Sequence, residues 1–352
     1  MVVRDFHPLR VAAIERLCDD AVAVTFDVPD ELASVYAFRA GQSLTVRRPA
    51  DPDDERRSYS ICAPVGARPR IGVREVPGGV VSRWLVHDVR PGDEVEVAPP
   101  TGTFTPDLRA GGRHVLIAAG SGITPVLSIA ASLLRHPDTQ IGVLYGNRRA
   151  DTVMFAEELA DLKDRHPSRL ELVHLLSREA REVDLLSGRL DAAKLRTLLP
   201  LFLDVPAVDH WWLCGPFGMV TDATTVLGEF GVPAERIHRE LFWVDEPPPE
   251  PVRHEPEPSG EAGEVTVVLD GRSTTVAVDG ADTVLEGAQR ARPDLPFACK
   301  GGVCGTCRAK VVDGEVRMRR NFALEDAEVA AGFVLTCQAT PVTPKVVVSF
   351  DD

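Results

Sequence analysis

The sequence has no excess of positive charge. It contains 39 Lys and Arg residues against 53 Asp and Glu residues, which gives a formal net charge of −14 at pH 7. A surface with this balance repels the phosphates of a nucleic acid, so we expect no nucleic-acid partner. The hydrophobic fraction of 44% and the charged fraction of 26% are ordinary for a globular protein, and 352 residues are enough for two or three domains.

The chain also lacks the marks of a secreted protein. Residues 1–10 hold Arg4, Asp5 and His7 and have no apolar segment of the kind found in a signal peptide. The seven cysteines are an odd number, and a chain of this length can bury a sizeable core without disulfides. We therefore expect a cytoplasmic protein in a reducing compartment, whose cysteines have a purpose other than cross-linking.

One uncharged run, residues 115–134, has the length of a membrane-spanning helix. Gly120, Gly122 and Pro125 interrupt its middle, which favours a strand, a glycine turn and a buried helix instead. We expect no membrane partner.

The first two thirds of the chain divide into two patterns. Residues 1–108 hold short β-rich runs, such as 22–28 and 43–47, between glycine and proline turns, and this predicts an antiparallel barrel. From residue 109 to 244, apolar runs alternate with helical stretches, which predicts a parallel α/β sheet. The apolar runs are 115–119, 141–145, 170–176 and 211–214, and the helical stretches are 125–134, 153–165, 192–199 and 219–230.

Residues 245–263 cannot form a core. They contain six prolines and six acids against one arginine, the composition of an extended, self-repelling linker. Residues 264–352 begin again with strand, turn and strand, and Thr283 with Glu286 predicts the capping box of a helix. A small α+β domain follows from this pattern.

Four cysteines of this last domain have a characteristic spacing. Cys299, Cys304 and Cys307 lie in one glycine-rich loop, and 29 residues separate Cys307 from Cys337. This is the spacing of a plant-type 2Fe–2S cluster, in which one tight loop supplies three of four thiolates. A Rieske centre would need two histidines, and none occurs after residue 254; structural zinc usually shows two short Cys pairs, and disulfides conflict with a reducing compartment.

Two glycine motifs follow apolar strands in the predicted α/β domain. Residues 120–125, GSGITP, open a helix, as a phosphate-binding loop does, although a plain strand–helix turn would read the same. Cys214, Gly215 and Pro216 follow the last apolar run. Both motifs fall at strand ends, where open α/β sheets bind ligands, although Cys214 by itself, like Cys18 and Cys62, is typical of a small buried hydrophobe.

Two shorter motifs occur in the predicted barrel. Residues 57–60 read RSYS and residues 79–82 read GVVS. Taken alone, the first is an ordinary strand segment, and the second is a turn with a helix N-cap.

Together these motifs resemble the ferredoxin–NADP reductase superfamily, and in particular oxygenase reductases with a C-terminal plant-type ferredoxin. Further phrases resemble the reductase components of phenylacetyl-CoA epoxidase (ring-oxygenase) complexes, while reductases of steroid-ring hydroxylases share the same layout. These phrases are RSYSIC at 57–62, YGNRR at 145–149, MFAEELADLK at 154–163, CGPFGM at 214–219 and ALEDAEVAAGFVLTC at 323–337.

The resemblance implies a multidomain fold. An antiparallel β-barrel would bind FAD at residues 1–108, and an α/β parallel-sheet domain would bind NAD(P) at 109–244. A Pro/Glu-rich linker at 245–263 would lead to an α+β (β-grasp) 2Fe–2S ferredoxin domain at 264–352. The metal ligands would be Cys299, Cys304, Cys307 and Cys337.

The resemblance also implies a flavin site on the barrel. Arg57, beside Ser58, would pair with the FAD pyrophosphate, Tyr59 would pack its ring on the isoalloxazine, and Ser60 would hydrogen-bond near flavin N5. A second segment would line the ribityl chain and ring edge and offer amides and a hydroxyl to the pyrophosphate. Its members are Val73, Arg74, Val76, Gly79, Val81 and Ser82.

For the nucleotide, the resemblance implies a pyrophosphate loop and a hydride-transfer site. The loop residues are Gly120, Ser121, Gly122, Thr124 and Pro125. Cys214 and Gly215 would lie at the hydride-transfer site with Ser60 and Glu240, and either Phe242 or Trp243 would cover the flavin. Ser177 and Arg178, with Arg189 further on, would grip a 2′-phosphate, which predicts NADPH rather than NADH, the alternative being a solvated loop.

The expected function is therefore electron transfer from NADPH through FAD and 2Fe–2S to a multicomponent oxygenase. The alternative from another class is a redox sensor or scaffold, although a scaffold has no need for three complete cofactor motifs. Arg317, Arg319 and Arg320 predict a cationic docking patch on the ferredoxin domain, or else a solvated strand edge.

Overall fold

The computed structural model describes residues 6–48, 55–242, 263–278 and 282–351. They fall into two compact units, one within residues 6–243 and one within residues 244–352. Trp243 and residues 245–262 of the predicted linker lie outside the described residues.

The first unit begins with a six-stranded antiparallel sheet in the order β4-β3-β6-β1-β2-β5. An antiparallel bridge between Ile61 and Ile71 joins its two edges, so the sheet closes into a barrel. Its elements are β1 (His7–Cys18), β2 (Ala21–Asp27), β3 (Ser43–Arg47), β4 (Arg56–Ser60), β5 (Arg70–Arg74), α1 (Val80–His87) and β6 (Glu94–Val97).

Helix α1 is a structural element that the strand pattern does not predict. The sequence indicates only a turn and an N-cap at residues 79–82, but the chain continues for two helical turns. Val81, Leu85 and Val86 are buried against the barrel interior, and this tertiary contact stabilises a short helix that would be marginal alone.

A five-stranded parallel sheet forms the rest of the first unit, in the order β11-β10-β7-β8-β9. Its strands are β7 (Gly112–Ala119), β8 (Thr139–Asn147), β9 (Leu170–Leu176), β10 (His210–Gly215) and β11 (Ile237–Leu241). Its helices are α2 (Ile123–Leu133), α3 (Ala156–Arg165), α4 (Ala192–Phe202) and α5 (Phe217–Glu229).

The uncharged run at 115–134 divides as expected into β7, a short 3-10 turn at residues 120–122 and the buried helix α2. In the described ranges, no helix is long and apolar enough to cross a membrane. The helix expected from residue 153 begins at Ala156, because residues 150–152 form a separate 3-10 turn and Phe155 takes a left-handed φ of 57°.

The second unit is a mixed five-stranded sheet in the order β13-β12-β18-β14-β16 with a two-stranded ribbon, β15-β17. Thr283 and Glu286 make both hydrogen bonds of the predicted capping box at the start of its first helix. The elements are β12 (Gly263–Leu269), β13 (Arg272–Val278), α6 (Val284–Gln289), β14 (Arg308–Asp313), β15 (Val316–Met318), α7 (Asp326–Ala330), β16 (Phe333–Leu335), β17 (Ala339–Pro341) and β18 (Lys345–Ser349).

Candidate functional site

The two glycine motifs of the parallel sheet meet at one edge. Cys214 at the end of β10 pairs in register with Ala118 of β7 on one side and with Glu240 of β11 on the other. A Cβ added to Gly122 would stand 2.1 Å from the Cys214 carbonyl oxygen, and one on Gly215 would stand 3.1 Å from the Ala119 nitrogen. Only glycine allows the loop and the strand end to approach this closely.

The three predicted catalytic residues are brought together across the seam between barrel and sheet. The Ser60 hydroxyl donates to the Glu240 carboxyl oxygen at 3.1 Å. Burial raises the pKa of Glu240 to about 8, so this carboxyl holds a proton near neutral pH. The Cys214 side chain is fully buried, and burial, reinforced by Glu240, raises the pKa of its thiol. The Glu240 carboxyl can thus hold and donate a proton at the seam between barrel and sheet.

Strand β4 positions the other predicted flavin residues. Arg57 is half exposed, pairs with Glu55 at 2.7 Å and donates to the Arg56 carbonyl oxygen. The alternation of the strand places Arg57 and Tyr59 on one face and Ser58 and Ser60 on the other. Burial raises the pKa of the Tyr59 phenol, so the ring stays neutral.

The N-terminus of α1 fits an anionic group. Gly79 is its N-cap residue, and no side chain caps the helix, so its first amides retain hydrogen-bonding capacity. The Ser82 hydroxyl accepts from the Val76 amide at 3.1 Å and so shapes the turn. Val81 is buried, whereas Val76 and Val80 are 37% and 45% exposed. Apolar side chains beside uncapped amides suit a ligand with a ring and a pyrophosphate.

Val73 and Arg74 at the end of β5 differ in what they can offer a ligand. The Val73 side chain is fully buried in the barrel core, so only its backbone can face a ligand. The Arg74 guanidinium donates to Asp20 at 3.2 Å and to the Thr152 carbonyl oxygen. Arg74 therefore connects the barrel to the parallel-sheet part of the unit.

The glycine loop is braced from within. Thr124 Oγ1 donates to the Ser121 carbonyl oxygen at 2.9 Å, and the Tyr145 hydroxyl donates to the Gly120 carbonyl oxygen at 3.0 Å. Pro125 is buried in the first turn of α2, where its missing N–H is no loss. The loop thus has a fixed shape at the helix N-terminus.

Asn147 is a residue to which the sequence analysis assigns no role. It is 7% exposed at the end of β8, and within the part of the chain that the structure describes neither atom of its side-chain amide has a hydrogen-bond partner. The neighbouring Tyr145 hydroxyl donates its hydrogen to Gly120, so it can only accept from the NH2 group of this amide and leaves the amide oxygen without a donor. Such an orphaned amide beside a phosphate-type loop fits a bound nucleotide. Its only sequence signal is its place in the phrase YGNRR.

The predicted 2′-phosphate residues meet at the end of β9. The Ser177 amide donates to the Asn147 carbonyl oxygen and the Arg178 amide to the Arg148 carbonyl oxygen, both at 2.8 Å. A parallel bridge between Leu176 and Ser187 returns the loop to the strand, and Arg189 follows this bridge by two residues. The side chains of Arg178 and Arg189 are exposed.

Phe242 directly follows β11 and is partly buried against the core of the parallel sheet. It lies two residues beyond Glu240 and so belongs to the same edge. Trp243, the other candidate for covering a flavin, is outside the described residues.

In the second unit the four predicted ligands form two pairs. The Cys304 thiol donates to the Cys299 sulfur, which also accepts from the amides of Gly301 at 3.3 Å, Val303 at 3.5 Å and Cys304 at 3.4 Å. These bonds lower the pKa of Cys299 to about 5. The Cys307 thiol likewise lowers the pKa of Cys337.

This pairing distinguishes between metal centres. Throughout the described ranges, no group of three or more His, Cys, Asp or Glu side chains is placed so as to hold one metal ion. Two pairs of cysteines instead suit two irons with two thiolates each, and inward amides suit the sulfurs of a cluster. The donor set therefore fits a 2Fe–2S cluster.

Three family models match the chain. They are described as an oxidoreductase FAD-binding domain at residues 8–105, an oxidoreductase NAD-binding domain at 116–225 and a 2Fe-2S iron-sulfur cluster binding domain at 267–342. The predicted fold class is thus confirmed, as are binding domains for FAD, a nicotinamide nucleotide and a 2Fe–2S cluster.

Similar proteins span the whole chain. A component of the 1,2-phenylacetyl-CoA epoxidase from Escherichia coli K12 is 42% identical over 351 residues, which cover 98% of each chain. The ferredoxin reductase component of 3-ketosteroid-9-alpha-monooxygenase from Rhodococcus rhodochrous is 32% identical over 97% of this chain and 96% of its own. The solved structure of phthalate dioxygenase reductase matches with a TM-score of 0.61 and 25% identity over 98% of each chain.

Proposed function

The chain belongs to the family of three-domain oxygenase reductases and is an NAD(P)H-dependent oxidoreductase, and from this premise we propose that it carries electrons from NADPH to a phenylacetyl-CoA epoxidase. The 42% identity to a component of a 1,2-phenylacetyl-CoA epoxidase carries the choice of partner, and the division of sites between the two units supports the electron transfer. One unit gathers Ser60, Cys214 and Glu240 at one sheet edge, and the other holds two cysteine pairs.

Bound FAD would supply two-electron hydride chemistry, and a 2Fe–2S cluster would supply one-electron transfer. The chain's residues supply the rest. The amides at the start of α1 and the side chain of Arg57 would bind the FAD pyrophosphate, and Tyr59 would orient the ring. Ser60 and Glu240 hold a proton beside the ring, because the buried carboxyl stays protonated near pH 7.

The nucleotide lies along the ends of the parallel strands. Gly120 and Gly122 would receive its pyrophosphate at the N-terminus of α2, and the Asn147 amide would form hydrogen bonds to the nucleotide. The buried Cys214 side chain excludes water from the end of β10, where the nicotinamide stacks.

We further propose the domain limits 1–108, 109–244 and 264–352 with a linker at 245–263. The working compartment is the cytoplasm, since all seven cysteines are free thiols and four of them serve the cluster.

Nucleotide choice is tested by changing Arg178. A guanidinium binds a 2′-phosphate through charged hydrogen bonds worth roughly 1.5–3 kcal/mol, so Arg178→Ala should raise the KM for NADPH about ten-fold or more and leave that for NADH nearly unchanged. Arg109→Ala is the matched control, because Arg109 is exposed, pairs with Asp107 and precedes β7 at the opposite edge of the sheet. Equal losses with both nucleotides would refute the NADPH assignment.

The partner is tested by reconstitution. The holoprotein, NADPH and the oxygenase components of a phenylacetyl-CoA epoxidase from the same cell should oxidise phenylacetyl-CoA, and omission of the chain should stop the reaction. Electron delivery to a steroid-ring hydroxylase, with none to the epoxidase, would contradict the proposal and favour the kind of partner named for the 32% identical relative.

A further inference from the structure

Basic residues gather around the cysteine loop of the second unit. Of the ten Lys and Arg residues in 264–352, six fall within residues 299–324, and only two of the thirteen Asp and Glu residues do. This segment is therefore positive, six bases against two acids, in a chain whose net charge is −14, and one of the six, Arg308, is paired with Glu328 just beyond it at 2.9 Å.

Hydrogen bonds hold part of this segment against the cysteine loop. The Arg319 amide donates to the Gln338 carbonyl oxygen at 2.9 Å, and the Phe322 amide donates to the Gly302 carbonyl oxygen at 3.1 Å. Gln338 in turn donates through Nε2 to the Lys300 carbonyl oxygen at 3.0 Å. Arg319 and Lys300 thus flank Gln338, the neighbour of the fourth cysteine.

The charged side chains of this surface reach solvent. Lys300, Arg317 and Arg319 are exposed and Arg320 is half-buried; these four residues are the cationic rim. Cys299, the exposed member of the four cysteines, lies next to Lys300. Lys300 therefore lies beside the part of the cluster site that is most open to a partner, and Arg319 is linked to it through Gln338.

Glu286, a carboxylate close enough to feel the charges of the rim, caps helix α6. Glu286 accepts from the Thr283 amide at 3.0 Å and from its hydroxyl at 2.9 Å. These bonds, and then the charges of Arg319 and Lys300, lower the pKa of Glu286. The capping carboxylate keeps its negative charge and so offsets part of the positive charge of the rim.

We propose that the cationic rim is the docking surface for the oxygenase and that the oxygenase presents acidic side chains to it. This proposal rests on the proposed function, since it names the contact by which electrons leave the cluster. The flavin unit of the same chain is also acidic, with a net charge of −6 over residues 1–244. It is tethered, however, so its encounter with the cluster is already frequent, whereas a separate protein gains from electrostatic steering.

The test reverses one charge in the rim and one outside it. Arg319→Glu is compared with Lys345→Glu, which changes the net charge of the same unit equally. Lys345 is the first residue of β18 and pairs with Glu264 at 3.2 Å. The residues after it pair with the end of β14 that lies away from the cysteine loop. Stopped-flow absorbance follows reduction of the flavin and the cluster in the holoprotein and then reduction of the native oxygenase.

At an ionic strength of about 0.01 M, Arg319→Glu should slow delivery to the oxygenase about ten-fold, and the loss should shrink as salt screens the charges. Lys345→Glu should change it less than about two-fold, and reduction of flavin and cluster by NADPH should keep the wild-type rate in both. Transfer from Arg319→Glu to a basic acceptor, mitochondrial cytochrome c, should become faster than from the wild type, because the charge reversal changes the sign of the interaction.

Other results would overturn the proposal. A wild-type delivery rate for Arg319→Glu in low salt would show that the rim is only a solvated face. Equal slowing by both variants would assign the effect to net charge, and slower flavin-to-cluster transfer would assign the rim to the tethered unit. If the wild-type protein fails to reduce the oxygenase at any salt concentration while reducing its own cluster, the proposed function fails instead.

Discussion

Replacing Glu240 by glutamine should make the stability of the flavin unit less sensitive to pH. Glu240 accepts from Ser60 at 3.1 Å at the seam between barrel and parallel sheet, and burial raises its pKa from 4.5 to about 8. The folded protein therefore keeps a proton that the unfolded chain releases above pH 4.5. The contribution of the protonated Glu240 carboxyl to the free energy of unfolding is fully present below pH 4.5 and is lost as the pH rises through about 8.

The magnitude follows from the width of that window. Each tenfold difference in proton affinity is worth about 1.4 kcal/mol, and partial contact with water reduces the total, so we expect a loss of about 2–4 kcal/mol by pH 8. Glutamine has the same shape as the protonated acid, still accepts from Ser60 and does not titrate. Glu240→Gln should match the wild type at about pH 5 and exceed it by about 2–4 kcal/mol at about pH 8.

Urea unfolding followed by tryptophan emission is a suitable assay, because all four tryptophans lie between residues 84 and 243 and so report on the flavin unit. Glu235→Gln is the matched control, since Glu235 is exposed just before β11. A difference between Glu240→Gln and the wild type that stays constant from pH 5 to 8 would show that the carboxyl is ionised throughout and refute the reasoning.

Three further outcomes are expected. Cys304→Ser should lose the visible absorbance and the iron of the cluster but keep FAD and NADPH-driven dye reduction, because the cysteines lie in a separate unit; loss of FAD as well would contradict this. Gly122→Ala should lower the stability of the flavin unit by about 1–3 kcal/mol, since its Cβ would meet the Cys214 carbonyl oxygen at 2.1 Å. Gly218→Ala should leave the stability unchanged, because Gly218 has open space around it. Equal thermal midpoints for the two variants would count against the close approach. His114 is buried, and burial lowers its pKa below 6.5. As the pH drops below about 6.5, the unfolded chain therefore takes up a proton before the folded protein does, and the melting temperature should fall. His114→Asn should flatten this fall and the exposed His87→Gln should not; an unchanged slope in His114→Asn would exclude His114 as the cause of the fall.

The cluster site was largely predictable from the sequence because its ligands are close along the chain. Three of the four cysteines share one loop, and the glycines among them allow the amides to turn towards the Cys299 sulfur. The strand and helix pattern of the parallel sheet was also predictable, because an apolar run at each strand is a local property. The capping box of Thr283 and Glu286 is local in the same way.

Contacts between distant segments were decided only by the tertiary structure. Ser60 and Glu240 are 180 residues apart, and no local pattern shows that they share a hydrogen bond. The orphaned amide of Asn147 is visible only after the ends of β8 and β9 are placed side by side. Helix α1 depends on the barrel interior that buries Val81 and Leu85. The sequence by itself thus determined the domains and the cofactor chemistry, while long-range packing decided which side chains meet and which groups remain to bind a ligand.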